Sequence, residues 1–523
     1  EKIIDEIIHN FEVNHPEKSI PLLQKAETYL MDINAGHWKE AKLRDIRNLI
    51  LECAGIYAEA YTDQQTVSAG DSLKIQTEMI SRLSSDVVLN SVEIPELNLV
   101  FTHNGKLVVN VPVYYNSKAM VNRIRPTAPF WLMKGRGKGM YEVEDPEWVN
   151  KPATPASLDC IFKCEINGKP YEWKREVIYK NDDPVAGEIR QPLVTLPALT
   201  MNPSDELVIL SKSEKTVLFE FELEAHRPDI REKIRVQTSP GIKVEPSEFM
   251  AEFNHKGEKK KFKVWVSTSE MSSRKAELKL NAGSEEIFVH HKIRYPHIPW
   301  QDVLLPARIK ISVADIRIVS KRVAYVEGAG DYLDEAIRKM GFSCQVIPAS
   351  KLQDLRKSEF DVLVFGIRAL NTAEELKDCR RYIERFAEEG GKVIFQYNTS
   401  QELVTQDFLG EDFKISRSRV TNENSPVRIL NPDHPVFQKP NKIIPGDFDH
   451  WVQERGLYFP GAYNSSFEEL LEFEDPGEKP LKSGLLVMKK GKGSIIYSSL
   501  AWFRQMPSGV PGAYRILANL ISY

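Results

Sequence analysis

The stretch that decides the fold runs from residue 322 to residue 400: RVAYVEGAG (322–330), DYLDEAIRKMG (331–341), FSCQVIPAS (342–350), DVLVFGIRALN (361–371), TAEELKDCRRYIERFAEEGG (372–391) and KVIFQYNTS (392–400). It alternates strand and helix. The runs 323–326, 362–365 and 393–395 are short, continuous and β-branched or aromatic, as strands buried on both faces of a parallel sheet require. A helix is expected over 373–389, with Leu376, Cys379, Tyr382, Ile383 and Phe386 on one face and Gly390-Gly391 as its stop. The pattern predicts a doubly wound, flavodoxin-like α/β domain over 299–523, whose ligand crevice would lie at the carboxyl ends of the strands.

Outward from that core, 523 residues are too many for one domain, so a multidomain α+β chain is expected. Residues 1–61 read as helical. Their stripes are Ile3, Ile4, Ile7, Ile8 and Phe11; Leu22, Ala26, Tyr29, Leu30 and Ile33; and, in a third helix over 38–61, Leu43, Ile46, Ile50, Cys53 and Tyr57. Three narrow stripes make a poor independent core, so these helices should pack on the next domain or on a part that is missing.

The period then changes to two, giving two β-sandwich-like domains, 62–203 and 204–298. The first holds strand-like runs at 106–115 and 161–166 and a long irregular insert near 123–158. The second spaces its strands 8–12 residues apart, as in KIRVQT, KFKVWVS, AELKLNA and EEIFVHHKI, which suggests an immunoglobulin-like sandwich. YPHIPWQ (295–301), with two prolines, reads as the linker into the α/β domain.

A net charge of −4 argues against a general nucleic-acid binder, and no apolar run reaches the roughly 18 residues of a membrane-spanning helix. The five cysteines do not form a disulfide framework. Cys160 and Cys164 would lie about 13 Å apart along one strand face, too far to bridge. The first residues, EKIIDEIIHN, have neither an initiator Met nor a signal-peptide pattern, which suggests a fragment or processed form.

Several apparent motifs have plainer readings. Gly328-Ala329-Gly330 lacks the third glycine of a dinucleotide fingerprint, because Leu333 takes its place; a tight turn with Asp331 as helix N-cap is the better account. GRGKG (135–139) lacks phosphate-loop spacing and reads as a loop. Lys259, Lys260, Lys261 and Lys263 read as a solvated strand edge. His290, His291 and His297 read as structural, having no carboxylate at ligand spacing.

The most site-like residues come late. DFDHWVQERGLYFP (447–460) concentrates Asp447, Asp449, His450, Trp451, Glu454 and Arg455; FRQMPSGVPGAYR (503–515) adds Arg504 and Arg515; Arg368, Asn371, Asn398 and Arg428 could join them around the strand ends. Mixed charge with aromatics suits a sugar or another polar ligand. A salt-bridge network that fixes long loops would use the same residues.

FGIRALN (365–371), QYNTS (396–400), NPDHPVF (431–437) and the two late runs just quoted resemble the C-terminal region of large bacterial PIG-L (LmbE-like) deacetylase-family proteins. The likeness continues back through YPHI (295–298) and ECAGIYAEA (52–60). In that family a zinc-dependent domain that de-N-acetylates N-acetylglucosamine-type sugars precedes such a region. Its His-Pro-Asp-Asp motif is absent here, and NDDP (181–184) and NPDHP (431–435) do not match it. The resemblance therefore implies an accessory portion whose partner is the missing N-terminal deacetylase domain. Zinc is expected only in that domain, a carbohydrate is a candidate ligand, and an extracytoplasmic location is implied. The 320–523 region also resembles class I glutamine amidotransferases and their ThuA-like branch, through DHPVF and GKGSIIYSSLAWF. In amidotransferases a Cys nucleophile follows the strand at 393–395; here the bend is Gln396-Tyr397-Asn398-Thr399-Ser400, with no thiol. Two functions stay open: a non-catalytic accessory module, or a sugar-modifying or hydrolytic α/β domain acting through Asp447, Asp449, His450 and Glu454.

Overall fold

The computed structural model describes residues 2–34, 36–134, 137, 139–211, 214–270 and 272–523. Gly135, Arg136 and Lys138 of the GRGKG loop lie outside the described residues. The chain is mostly β, arranged in several large sheets.

Helices α1 (Lys2–His9), α2 (Ile20–Met31) and α3 (His37–Cys53) do not stand alone. Leu23, Ala26, Ile46 and Ile50 share one core with Ile75, Val92, Phe162 and Trp173 of an eight-stranded sheet. The third helix was expected to reach Tyr61 but stops at Cys53, because Gly55 turns the chain at φ 68° and a Cβ there would lie 2.8 Å from the Leu83 amide. Ile56–Thr62 is then a strand inside that sheet, antiparallel to Ser72–Ser81 and parallel to Lys169–Asp183. The boundary at 61/62 therefore cuts through a strand. This unit is built on an eight-stranded sheet whose long strand Lys169–Asp183 joins two halves, and the three helices pack into its core. The expected strand over 106–115 is two strands, Leu99–Lys106 and Val113–Met120, joined by a turn that contains Asn110 at φ 60°.

The next unit is a true sandwich of two six-stranded sheets around Phe219, Phe221, Phe253, Val264, Leu278 and Ile311. It begins at the strand Leu199–Pro203 and needs Gln301–Pro306 and Arg308–Ala314, which were assigned to the α/β domain. Phe288–Ile293 pairs antiparallel with Gln301–Pro306, so YPHIPW is the loop of a hairpin; its prolines end strands and do not separate domains. Lys261 and Lys263 point outward while Val264 is fully buried, as alternation required.

Acid acts on one piece of this core. His226 Nε2 meets Thr200 Oγ1 at 2.8 Å. Burial, and secondarily His290, push its imidazole down to about 3. The unfolded chain takes up that proton near pH ~6.5, so the stability that rests on neutral His226 is complete above that pH and drains away as pH falls toward 3. Thermal melts across this range should show a shallower acid-side decline for His226→Gln; an unchanged slope would discard the assignment.

The last 200 residues build an eight-stranded sheet. Ser343–Ile347, Arg322–Val326, Val362–Phe365, Lys392–Phe395 and Gly493–Ser498 run parallel in that spatial order, and three antiparallel strands extend the sheet beyond them. Alternate residues feed two apolar clusters. Val323, Tyr325, Val364 and Ile496 pack with α4 (Leu333–Lys339) and the helix Pro511–Ser522. Ala324, Val326, Phe365 and Phe395 pack with Ile383 and Phe386 of Cys379–Glu388. Burial on both faces explains why these strands lack a polar alternation. All five cysteines are free, and burial pushes the Cys160, Cys164 and Cys379 thiols up to about 12. No helix among the described residues is long and apolar enough to cross a membrane, which says nothing of β-barrel spans.

Candidate functional site at the carboxyl ends of the parallel strands

Strand order reverses between Arg322–Val326 and Val362–Phe365, and there the two strand-end loops touch through their backbones. The Ala329 amide donates to the Ile367 carbonyl at 2.7 Å and the Gly366 amide to the Val326 carbonyl at 2.8 Å. A Cβ on Gly328 would sit 2.0 Å from the Ile367 oxygen, and one on Gly366 would sit 2.7 Å from the Tyr325 hydroxyl. Only glycine permits this approach. Asp331 seals it: its carboxylate accepts from the Leu333 amide (3.0 Å), the Ile367 amide (2.9 Å), Gln396 Nε2 (2.7 Å) and the Tyr325 hydroxyl. Asp331 was expected at the N-cap of α4, but Tyr332 holds that position and Asp331 bonds into the first turn from one residue earlier. The crevice where a doubly wound sheet would take its ligand is filled by protein.

The bend after Lys392–Phe395 is equally occupied. Asn371 donates to the carbonyls of Gln401 (2.8 Å) and Thr399 (3.3 Å) and accepts from the Thr399 amide (2.9 Å). Asn398, fully buried, accepts from the Leu370 amide (2.9 Å), donates to the Gln396 carbonyl (3.2 Å), and has its own amide on the Tyr497 hydroxyl (3.2 Å). Both asparagines, expected as ligand contacts, are backbone clamps. Thr399 Oγ1 donates to the Gln401 carbonyl at 3.0 Å, with no base in contact.

Beside the bend, Tyr397 stacks on Tyr458 (centroids 5.5 Å apart) and meets Phe503 edge-on (5.9 Å). Burial, and secondarily the Glu454 carboxylate, push the Tyr397 phenol up to about 12, against the pull of Arg368 and Arg504. Glu454 accepts from Arg504 Nε at 2.6 Å. Arg368 and Arg504 are therefore brought together, around an aromatic group that the sequence reading did not single out. Tyr397 was visible in QYNTS, but nothing local linked it to Tyr458 and Phe503. Arg368 is exposed at φ 57° and has no ion pair among the described residues.

The remaining candidates are scattered. Asp447, 5% exposed, accepts from Arg515 Nε at 2.8 Å, and Arg515 also donates to the carbonyls of Asp315 and Lys442. Burial outweighs that partner and holds the Asp447 carboxyl above its usual range. Trp451 is buried, with Nε1 on the Asp447 carbonyl at 3.1 Å. Arg455 is buried on the carbonyls of Ser425 (2.9 and 3.1 Å) and Phe448, and burial lowers it to about 10. Arg428 pairs with Glu472 at 3.0 Å. Asp449 and His450 are exposed, His450 at φ 60°; neither side chain makes a hydrogen bond or ion pair among the described residues, while the Asp449 amide donates to the Gly446 carbonyl at 3.2 Å and the His450 carbonyl accepts from Lys275 at 3.1 Å. Among the described residues no group of three His, Cys, Asp or Glu side chains could hold a metal ion. Among the described residues these side chains fasten loops, and no hydrogen bond joins Thr399 or Ser400 to a base.

No protein-family model matches the chain, and neither does any curated protein. Among solved structures it is similar to a β-galactosidase from Rahnella sp. R3 (13% identity, 40% of this chain and 32% of that one, TM-score 0.25). It is also similar to an exo-β-1,4-mannosidase from Opitutaceae bacterium strain TAV5 (8%, 38% and 35%, TM-score 0.24) and a β-galactosidase from Halorubrum lacusprofundi (15%, 40% and 31%, TM-score 0.24). The chain spans about a third of the length of each of these proteins, and at such scores the likeness carries no argument about activity.

Proposed function

We propose that this chain is the non-catalytic accessory region of a PIG-L (LmbE-like) protein that de-N-acetylates N-acetylglucosamine-type sugars. Its terminal domain is a doubly wound, glutamine-amidotransferase-like unit of the ThuA-like kind that has lost its nucleophile. The observation that carries this reading is the filled strand-end crevice: Asp331, Asn371, Asn398 and Glu454 all spend their hydrogen bonds on the protein itself. The exposed apolar side chains of the first three helices and the turns that follow two of them, Ile8, Phe11, Tyr29, Ile33 and Trp38, add support, since they offer a seat for the catalytic domain.

The competing function, an enzymatic α/β domain, draws on Asp449 and His450, whose exposed side chains make no hydrogen bond or ion pair among the described residues. Incubating the chain with chitooligosaccharides and added zinc separates the two. No acetate release is expected from this chain alone, and release is expected from the chain joined to a His-Pro-Asp-Asp domain. Acetate or cleaved glycan from the chain by itself, abolished in His450→Ala, would establish the competing function instead.

A further inference from the structure

Two carboxylates without a hydrogen bond or ion pair among the described residues, Glu206 and Glu335, line a crevice of about 420 Å³ between the sandwich and the α/β unit, one of several cavities on the molecule. Its two walls are tied by Lys339, which holds Asp205 at 2.6 Å. Its floor is apolar, with Leu207, Ala336 and Tyr514 all buried. Pro507 at its rim is held by Lys310, which donates to its carbonyl at 3.0 Å.

What distinguishes this crevice is the set of polar groups left unused. Glu335 of α4 and Glu206 of the sandwich face it from opposite walls, and neither carboxylate makes a hydrogen bond or ion pair within the described residues. Asn202 and His291 also line it with unengaged side chains, and Tyr332 presents a ring that is 60% exposed. The lining carboxylates Asp205, Glu206 and Glu335 outnumber Lys339 and the rim's Lys310 by one, so the crevice is net negative. Glu206 and Glu335 do not belong to any group of three metal-ligating side chains among the described residues.

Each feature selects a part of that ligand. An exposed tyrosine ring over an apolar floor suits the C–H face of a sugar ring, and scattered amide, imidazole and carboxylate groups suit its hydroxyls. Carboxylates free of hydrogen bonds on facing walls suit a cation between them. We propose that the crevice binds an amine-bearing sugar, with the ring on Tyr332 and the ammonium between Glu206 and Glu335. The site is separate from the strand ends and does not depend on the accessory-region reading.

Titration calorimetry of the full chain at low salt, with D-glucosamine, D-glucose and cyclohexylamine as probes, tests this. Glucosamine should bind at least about tenfold more tightly than either of the others, which each lack half of the recognised chemistry. Tyr332→Ala and Glu335→Gln should each weaken it by about tenfold, and added salt should weaken the amine contribution. Trp265→Ala, which removes a half-exposed ring elsewhere on the sandwich, should leave binding unchanged. Equal affinity for glucose, binding insensitive to both crevice variants, or no binding below about 10 mM would each overturn the proposal. A negative acetate assay bears on the accessory reading alone.

Discussion

Gly328→Ala is expected to destabilise the α/β unit by more than about 3 kcal/mol, beyond the ordinary range for an added methyl. The new Cβ would sit 2.0 Å from the Ile367 oxygen and 2.9 Å from the Ala369 amide. Both neighbours are backbone, fixed by the bonds that join the two loops, so no side-chain rotation can relieve the overlap. Relief requires the loops to part, which breaks the 2.7 Å bond from Ala329 to Ile367 and opens the Asp331 carboxylate to water. Guanidinium melts followed by the fluorescence of buried Trp451 and Trp502 report on this unit directly. A loss under about 1 kcal/mol would mean that the crevice is not sealed by close backbone contact.

Arg515→Met should cost about 3–5 kcal/mol at neutral pH, because it leaves the Asp447 carboxylate buried without its partner. The sign of the pH effect distinguishes this from simple loss of packing. Asp447 already has a raised pKa in the folded state, and removing the guanidinium raises it further. A carboxyl whose folded pKa exceeds the unfolded value, about 3.9, binds more protons when folded, so stability falls as pH rises through that window. The deficit of the variant should therefore shrink when melts are repeated near pH ~4. A deficit independent of pH would assign the arginine's role to its contacts with the Asp315 and Lys442 carbonyls instead.

The parallel core was legible because its signal is local: strands buried on both faces must be apolar throughout, as at 323–326, 362–365 and 393–395. The unit boundaries were not, because they depend on pairing between distant segments. Nothing in QDVLLP (301–306) says that it pairs with FVHHKI (288–293) across a proline-bearing loop, and nothing in IYAEAYT (56–62) beyond Gly55 says that a helix has given way to a strand. The site residues divide in the same way. Mixed charge at 447–455 was a fair sign of tightly engaged side chains, but sequence could not show whether they face a ligand or each other. Asp447 with Arg515 and Glu454 with Arg504 face each other. The crevice beside Tyr332 escaped notice because its walls come from four separated segments, none unusual alone.

Two pairings constrain how the molecule is made. Residue 60 lies beside residue 177, and residue 207 beside residue 310, both in parallel register. A chain emerging from the ribosome cannot close its helix-capped sheet or its sandwich until the later partner is out, so each early strand waits with an unsatisfied edge. Shortened forms that end inside either interval would carry that edge permanently, which favours cutting near residue 198 or 320 when pieces of this protein are to be expressed.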